Sequence, residues 1–412
     1  MGTDDTPGEG GSVTLRIVVV GAGVGGLSIA RGLLRDGHDV TVFERRPDAQ
    51  PGGGAVTIWS NGATVLRQLG IDMDGAGQLL SAVRVLTSTG HRLATLDVAA
   101  MARRLGAPVR MVPRRTLVER LLKGFPAERI CYNACVVEVV GGGTGDDGAR
   151  VEFHDGSSVE ADLLIGADGL HSTVRDIVVG ARHATPTGWC SWQGLVALPD
   201  LADTQVAQVV IGDRGNTGLW PAGGCDVQWW FDLPWSYDFV RPQRPIDLIR
   251  ATFAGWSGSV DRVLATLTDD DLLHSPYPHF RHPIPPPGRG AVTLLGDAAH
   301  AMPPTLAQGA NQALLDTMVL RKALWDLDRG DVAGALRWYE KTRRRKVMAV
   351  SRVASLPVSH RESVLRPAAM LSDRLHTWLL TTFLSRTSHR RMSTQITKDL
   401  DTAPAAASCE AR

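Results

Sequence analysis

The sequence predicts an α/β protein in two parts: a twisted parallel sheet assembled from three separated segments, and an inserted, mostly antiparallel sheet, followed by C-terminal helices. Three observations carry this. A strand, glycine turn, helix and second strand, RIVVVGAGVGGLSIARGLLRDGHDVTVFE, begin almost at the start of the chain. Two further apolar strands, ADLLIGADG and AVTLLGD, lie far downstream and each ends in an acidic residue. Between them run alternating segments that hold seven of the eleven tryptophans, from Trp189 to Trp256.

Taken in order, residues 15–20 are rich in β-branched side chains, the composition of a strand buried on both faces. The helix after the glycine turn carries Leu27, Ala30, Leu33 and Leu34 on one face and stops near Gly37. Residues 81–98 read as a hairpin turning at Thr89-Gly90. α/β character returns from about Arg110 to Val179, and the strand at Ala291 leads into a helix starting near Gln308. A basic helix over 331–353 is expected on the outside, with the run 343–346 as a solvated face. The predicted boundaries are 14–80, 105–180 and 285–355 for a nucleotide-binding domain, and 81–104 with 181–284 for the inserted domain. A helical segment follows over 356–395, with 1–13 and 396–412 as flexible tails.

Composition narrows the function classes. A chain of 412 residues that is 43% hydrophobic and 21% charged fits a two-domain enzyme. A net charge of +1 provides no field for nucleic acid or an acidic membrane surface. Five cysteines without a CxxC pair argue against a disulfide framework and a zinc site, and for a reducing cytoplasm. No apolar run reaches membrane-spanning length, so no stable membrane association is expected. A monomer and a homodimer are equally compatible with these numbers.

Gly21, Gly23 and Gly26 form GxGxxG between a strand and a helix. The first allows a tight turn, the second lets backbone approach a pyrophosphate, and the third lets helix and strand pack closely. Glu44 closes the next strand eighteen residues after Gly26, where a carboxylate can accept from ribose hydroxyls. This Rossmann-like unit implies a dinucleotide without separating NAD from FAD. LLIGADGLHSTVR places Asp168 after one strand, with Ser172 and Arg175 beyond it. GDAAHAMPPTLAQGAN places Asp297 after another and opens the next helix at residues 308–311. Two acids at strand ends facing helix starts suggest an extended ligand crossing the sheet edge.

In these three motifs the sequence resembles the single-component flavoprotein monooxygenases of the para-hydroxybenzoate hydroxylase type, over roughly residues 14–350. Salicylate and phenazine hydroxylases and the tetracycline-inactivating monooxygenases belong to that family. The resemblance implies FAD as cofactor, NADPH or NADH as co-substrate, and O₂. It further implies oxygen transfer from a flavin C4a-hydroperoxide that hydroxylates or epoxidises a small molecule, as in natural-product metabolism. Gly21, Gly23, Gly26, Glu44 and Arg45 would hold the ADP half, and Asp168 would organise the FAD and NAD(P)H region. Asp297 would hold the ribityl chain, with Gly309, Ala310 and Asn311 at the following helix start. Arg114 in PRRTL matches the family arginine that reaches FAD, with Arg115 as the alternative register. Ala55 and Val56 lie in the segment beside the isoalloxazine. Ala55, Ser60 and Ala307 stand where the family usually has glycine, proline and glycine, which adds side-chain bulk near the flavin.

Flavin carries the hard chemistry in such enzymes, and the protein supplies position, electrostatics and dryness. By family position Gln193, Trp220, Gln228, Trp230 and Pro304 line the substrate pocket. Gln193 stands where several relatives have arginine, which weakens the case for a small carboxylate substrate. Gln228 and Trp230 share one face of DVQWWFDL and Trp229 takes the other. An apolar pocket with amide handles suits a neutral aromatic or polycyclic molecule. His300 is the one side chain that invites a catalytic role of its own, against a structural histidine beside the flavin segment. His274, His279 and His282 lie in a Pro-rich stretch that reads as a rigid connector, and no metal is expected. Two alternatives stay open: a flavin-dependent reductase without oxygen insertion, and a flavin binder without catalysis.

Overall fold

The computed structural model describes residues 14–50, 52–141, 148–273, 276–327, 331–356 and 365–402. The expected N-terminal tail, His274 and Cys409 lie outside them. Five parallel strands form the first sheet, in the order Val292–Leu294, Leu163–Gly166, Arg16–Val20, Asp39–Phe43 and Ile130–Cys131. All three predicted segments contribute to it. Arg16–Val20 sits at its centre and is buried from Ile17 onward, as its unbroken apolar run requires.

One face is covered by the helices Val24–Arg35 and Gly309–Trp325, the second buried along nearly its whole length. They approach closely enough that a Cβ at Gly32 would meet the Arg321 side chain at 2.4 Å. Arg321 in turn grips Asp36 through two hydrogen bonds of 2.7 and 2.6 Å. The other face carries an antiparallel sheet of Val136–Gly141, Ala149–Phe153 and Ser158–Ala161.

The second large sheet has seven strands, in the order Tyr277–Arg281, Thr185–Ala197, Asp226–Pro234, Gly215–Gly223, Val206–Gly212, Ala82–Thr87 and Arg92–Asp97. Its pairings are antiparallel except that Val206–Gly212 runs parallel to Ala82–Thr87, which joins the early hairpin to the inserted strands. Trp192, Trp229 and Phe231 point to one face, where the helices Pro245–Phe253 and Gly258–Thr266 cover them. The opposite face looks back toward the parallel sheet. A small antiparallel sheet of Ala55–Ile58, Arg110–Pro113 and Gln78–Leu79 lies between the two.

Three expectations need correction. The Pro-rich stretch is no connector loop at residues 277–281: it forms the edge strand of the seven-stranded sheet, a position where Pro278, lacking an N–H, is tolerated. Arg343 is not solvated. It is 3% exposed and its Nε donates to Asp316 Oδ1 at 2.5 Å, because the buried stripe of the helix Val332–Ala354 runs through it. The C-terminal helix Arg390–Thr402 continues past residue 395. Ile396 is 2% exposed, and Gln68 Nε2 donates to the Ser393 carbonyl and to Thr397 Oγ1, both at 2.9 Å.

Candidate active site

The glycine turn is built as its spacing demands. Gly21 has φ +104°, and a Cβ there would lie 2.6 Å from the Ala167 carbonyl oxygen of the neighbouring strand. A Cβ on Gly26 would lie 1.8 Å from the Gly21 carbonyl oxygen, so only glycine lets the helix start so close to the strand. A Cβ on Gly23 would meet nothing within 4 Å, since that residue opens onto a cavity. The helix Val24–Arg35 has neither a side-chain cap nor an acid in its first turn, which leaves its N–H groups and positive end to an incoming anion. Glu44 stands beside it, each carboxylate oxygen held by one backbone N–H: Ala22 at 2.8 Å and Arg46 at 3.0 Å. Each oxygen keeps acceptor capacity for a sugar hydroxyl.

The cavity has a volume of about 860 Å³ and runs from this turn to the inner face of the seven-stranded sheet. Arg45, Ala55, Val56, Arg114, Asp168, Asp297, Gly309 and Ala310 all line it. Arg115 instead pairs with Glu119 on the surface, so Arg114 is the register that faces inward. Asp168 accepts from Ser172 Oγ at 2.5 Å and from the Val174 N–H at 3.1 Å, and thereby shapes the turn after its strand.

Asp297 opens onto the cavity from the first turn of a short helix, Asp297–His300. That turn is held from below by Asp316, which is fully buried on the helix Gly309–Trp325. Its Oδ2 accepts from the Gly296 N–H at 2.9 Å and from His300 Nε2 at 2.5 Å, and its Oδ1 accepts from Arg343. Burial alone would raise the Asp316 carboxyl, but the nearby His300 and Arg343 charges and hydrogen bonds take it down to about 2.

Several residues have other duties than expected. His300 is buried against Asp316 and is not among the residues that line the cavity, which makes it a structural histidine. Asn311 is fully buried and ties three backbone groups together: its Oδ1 accepts from Trp59 N–H, and its Nδ2 donates to the Thr57 and Ala307 carbonyls. Gln228 lines the cavity, yet its Oε1 accepts from the Ala55 N–H and its Nε2 donates to the Trp229 carbonyl at 2.9 Å. Its amide therefore seats the segment at Ala55 and offers little to a ligand. Ala307 adopts the left-handed φ of 49° that a glycine would take more easily.

At the far end Gln193, Trp220, Trp230 and Pro304 line the wall. The Trp220 and Trp230 rings are 6.0 Å apart at 43°, and Trp230 Nε1 donates to Asn216 Oδ1 at 3.2 Å. Ser191, Asp232 and His279 complete this wall and were missed. The alternation of SWQ and QWWFD could have found the first two, because Ser191 shares a face with Gln193, and Asp232 with Trp230. Leu380, Phe383 and Leu384, from the helix Asp373–Thr387, close another side. That helix is docked by Asp373, which accepts from the Thr95 N–H and pairs with Arg92.

A profile for the family described as FAD binding domain matches residues 14–354. FAD-dependent urate hydroxylase of Klebsiella pneumoniae is 32% identical over 342 residues, covering 80% of this chain and 86% of that protein. The chain belongs to the class A flavin monooxygenases. A 3-amino-4-hydroxybenzoate 2-monooxygenase of Streptomyces platensis is also 32% identical, over 363 residues, covering 82% of this chain and 86% of its own. The crystal structure of Klebsiella pneumoniae HpxO with FAD and uric acid superposes with a TM-score of 0.81 at 26% identity, covering 92% of this chain and 99% of that one. Three features of this chain fit the family's cofactor: an uncapped helix start, a glycine with open space above it, and carboxylates at both strand ends. This flavin monooxygenase uses FAD, NAD(P)H and O₂.

Proposed function

We propose that this flavin monooxygenase hydroxylates a neutral, flat aromatic or polycyclic molecule, seated between the Trp220–Trp230 wall and the flavin. The observation that carries this reading is one continuous cavity lined both by the glycine turn and by the tryptophan wall. Gly21, Gly23, Gly26 and the helix start would receive the pyrophosphate, Glu44 the adenosine ribose, and Asp297 with Arg114 the middle of the cofactor. Bound FAD supplies the reduction by NAD(P)H and the activation of O₂ that no side chain provides.

The protein's own part is placement and dryness. Trp220 and Trp230 offer aromatic faces for stacking. Gln193, exposed on the cavity side, offers an uncharged amide where a carboxylate substrate would ask for a cation. Val83, Val85, Leu96, Leu380 and Phe383 make much of the surround apolar and exclude water. The relatives act, by their names, on urate and on an aminohydroxybenzoate, both small planar rings. The free cysteines fit a reducing compartment such as the cytoplasm, and no helix among the described residues is long and apolar enough to cross a membrane.

The test is NAD(P)H consumption by FAD-loaded protein against phenols, indoles, purines and polycyclic quinols, with peroxide release followed alongside. A compound that speeds consumption without peroxide release, and gains one oxygen by mass, supports the reading. Gain or loss of two hydrogens without oxygen would replace it with a reductase or dehydrogenase.

A further inference from the structure

A glycine inside a strand weakens it, so each one calls for a reason. Gly215 and Gly223, the two ends of the strand Gly215–Gly223, have theirs in the backbone. A Cβ on Gly215 would lie 2.5 Å from the Asp232 carbonyl oxygen, and Gly223 has φ +94°. Gly218, in the middle, has no such reason. Its φ lies outside the left-handed region, and the three atoms nearest to an added Cβ are Cη2, Cζ2 and Cζ3 of Trp230, at 2.0, 2.0 and 2.5 Å. Trp230 pairs directly with Gly218 on one neighbouring strand and with Gln193 on the other. Its indole therefore does not stand up from the sheet but lies over Gly218, away from Gln193.

Two hydrogen bonds keep it there. Nε1 donates to Asn216 Oδ1 at 3.2 Å, and the Trp230 carbonyl accepts from Thr217 Oγ1 at 2.7 Å. The same arrangement recurs on the opposite face, where Trp229 lies over Gly194, but Trp229 is 0% exposed within the core. Trp230 instead faces the cavity beside Trp220. Further along the wall Ser191 is already engaged by Asp232 and His279. What the lying ring adds is a flat apolar floor, with the Gln193 amide open at its edge.

We propose that Gly218 is a specificity-determining residue: by letting the Trp230 indole lie flat, it shapes a slot for a planar substrate of two or more fused rings. This rests on the monooxygenase reading above and narrows its substrate class. Two carbon atoms in contact need about 3.5–4 Å between them, so a Cβ on Gly218 would lift the six-membered half of the indole by roughly 1.5 Å. The bond to Asn216 holds the five-membered half. The slot then becomes a wedge, in which one ring still fits at the open end but a fused plane no longer lies face to face with the indole. Gly218 is far along the chain from the glycine turn and from both strand-end carboxylates, so cofactor binding is left alone.

The test titrates FAD-loaded protein with phenol, 1-naphthol and 9-phenanthrol, and reads binding from the change in the flavin's visible absorbance. Wild type should bind the fused probes more tightly than phenol. Gly218→Ala should weaken 9-phenanthrol about tenfold while phenol stays within about twofold, with FAD content unchanged. Trp230→Phe, added to Gly218→Ala, removes the ring carbons that collide and should recover most of the lost preference. Gly194→Ala, beneath the covered Trp229, should leave the preference intact. Where Gly218→Ala does not fold, Asn216→Leu decides: it removes the acceptor that tethers the indole and should cut the preference for 9-phenanthrol severalfold. Equal losses for all three probes, an unchanged preference, or a wild type that favours phenol overturns the proposal and leaves the monooxygenase reading standing. A wild type that binds none of the probes, and whose NAD(P)H consumption none of them moves, takes down both.

Discussion

Asp316 is where the cofactor site meets the buried interior, and replacing it with asparagine tests the account of the Asp297 turn. The substitution keeps shape but removes the charge that faces Arg343, a guanidinium 3% exposed, and His300, 5% exposed. Breaking a buried pair by removing one partner costs roughly 3–5 kcal/mol, because the other charge stays behind uncompensated. With a urea dependence of about 2–3 kcal/mol per molar, the unfolding midpoint should fall by more than about 1 M. The pH dependence offers a second check. The carboxyl titrates near 2 in the folded protein against an ordinary 3.8, so its contribution is fully present above 3.8 and is lost as pH falls toward 2. Wild type should lose roughly 2–3 kcal/mol across that window, and Asp316→Asn should lose correspondingly less. Because Asp316 also holds the Gly296 N–H, the variant should bind FAD more weakly. Adding Arg343→Met should restore part of the stability by removing the stranded charge. An Asp316→Asn protein that unfolds at the wild-type urea concentration and keeps its FAD would refute the reasoning.

Three further outcomes follow from the geometry. Gly26→Ala should lose FAD and melt several degrees lower, because its Cβ has no room against Gly21, whereas Gly23→Ala should melt normally without FAD and lose only FAD affinity. Flavin absorbance after desalting, with thermal melts of the stripped proteins, separates the two. Gln193→Ala and Trp230→Ala should raise KM for the substrate about tenfold with FAD content intact; lost FAD would contradict their placement on the substrate side. Phe383→Ala opens the cavity wall, so the peroxide released per NAD(P)H oxidised should rise severalfold, as read by a peroxide assay under substrate saturation.

The parallel sheet was legible in the sequence because strands buried on both faces read as unbroken apolar runs, and the glycine turn because sterics leave no other residue there. The tryptophan alternation was legible for a similar local reason, and Arg114 only through the resemblance to the family, with Arg115 as the alternative register. What escaped notice depends on contacts far apart in the chain. Nothing local to residues 343–346 says that Arg343 meets Asp316 on another helix. Six prolines and three histidines within residues 274–287 hid the edge strand at 277–281, since edge pairing tolerates what a central strand would not. Gln228 looked like a ligand handle because its amide faces the cavity, and only the Ala55 N–H shows that it is already engaged. Ser191 and Asp232 were available from strand alternation, but their link to His279 needed the sheet order.

The helix Asp373–Thr387 contributes Leu380, Phe383 and Leu384 to the cavity, yet it lies beyond residues 14–354, the stretch that matches the family. It docks through Asp373 and Thr377 onto the hairpin strand Arg92–Asp97, on a surface separate from the glycine turn. Part of the cavity's apolar wall is thus written outside the stretch that matches the family. A change in this terminal helix therefore alters the cavity wall without touching the glycine turn or the carboxylates at the strand ends.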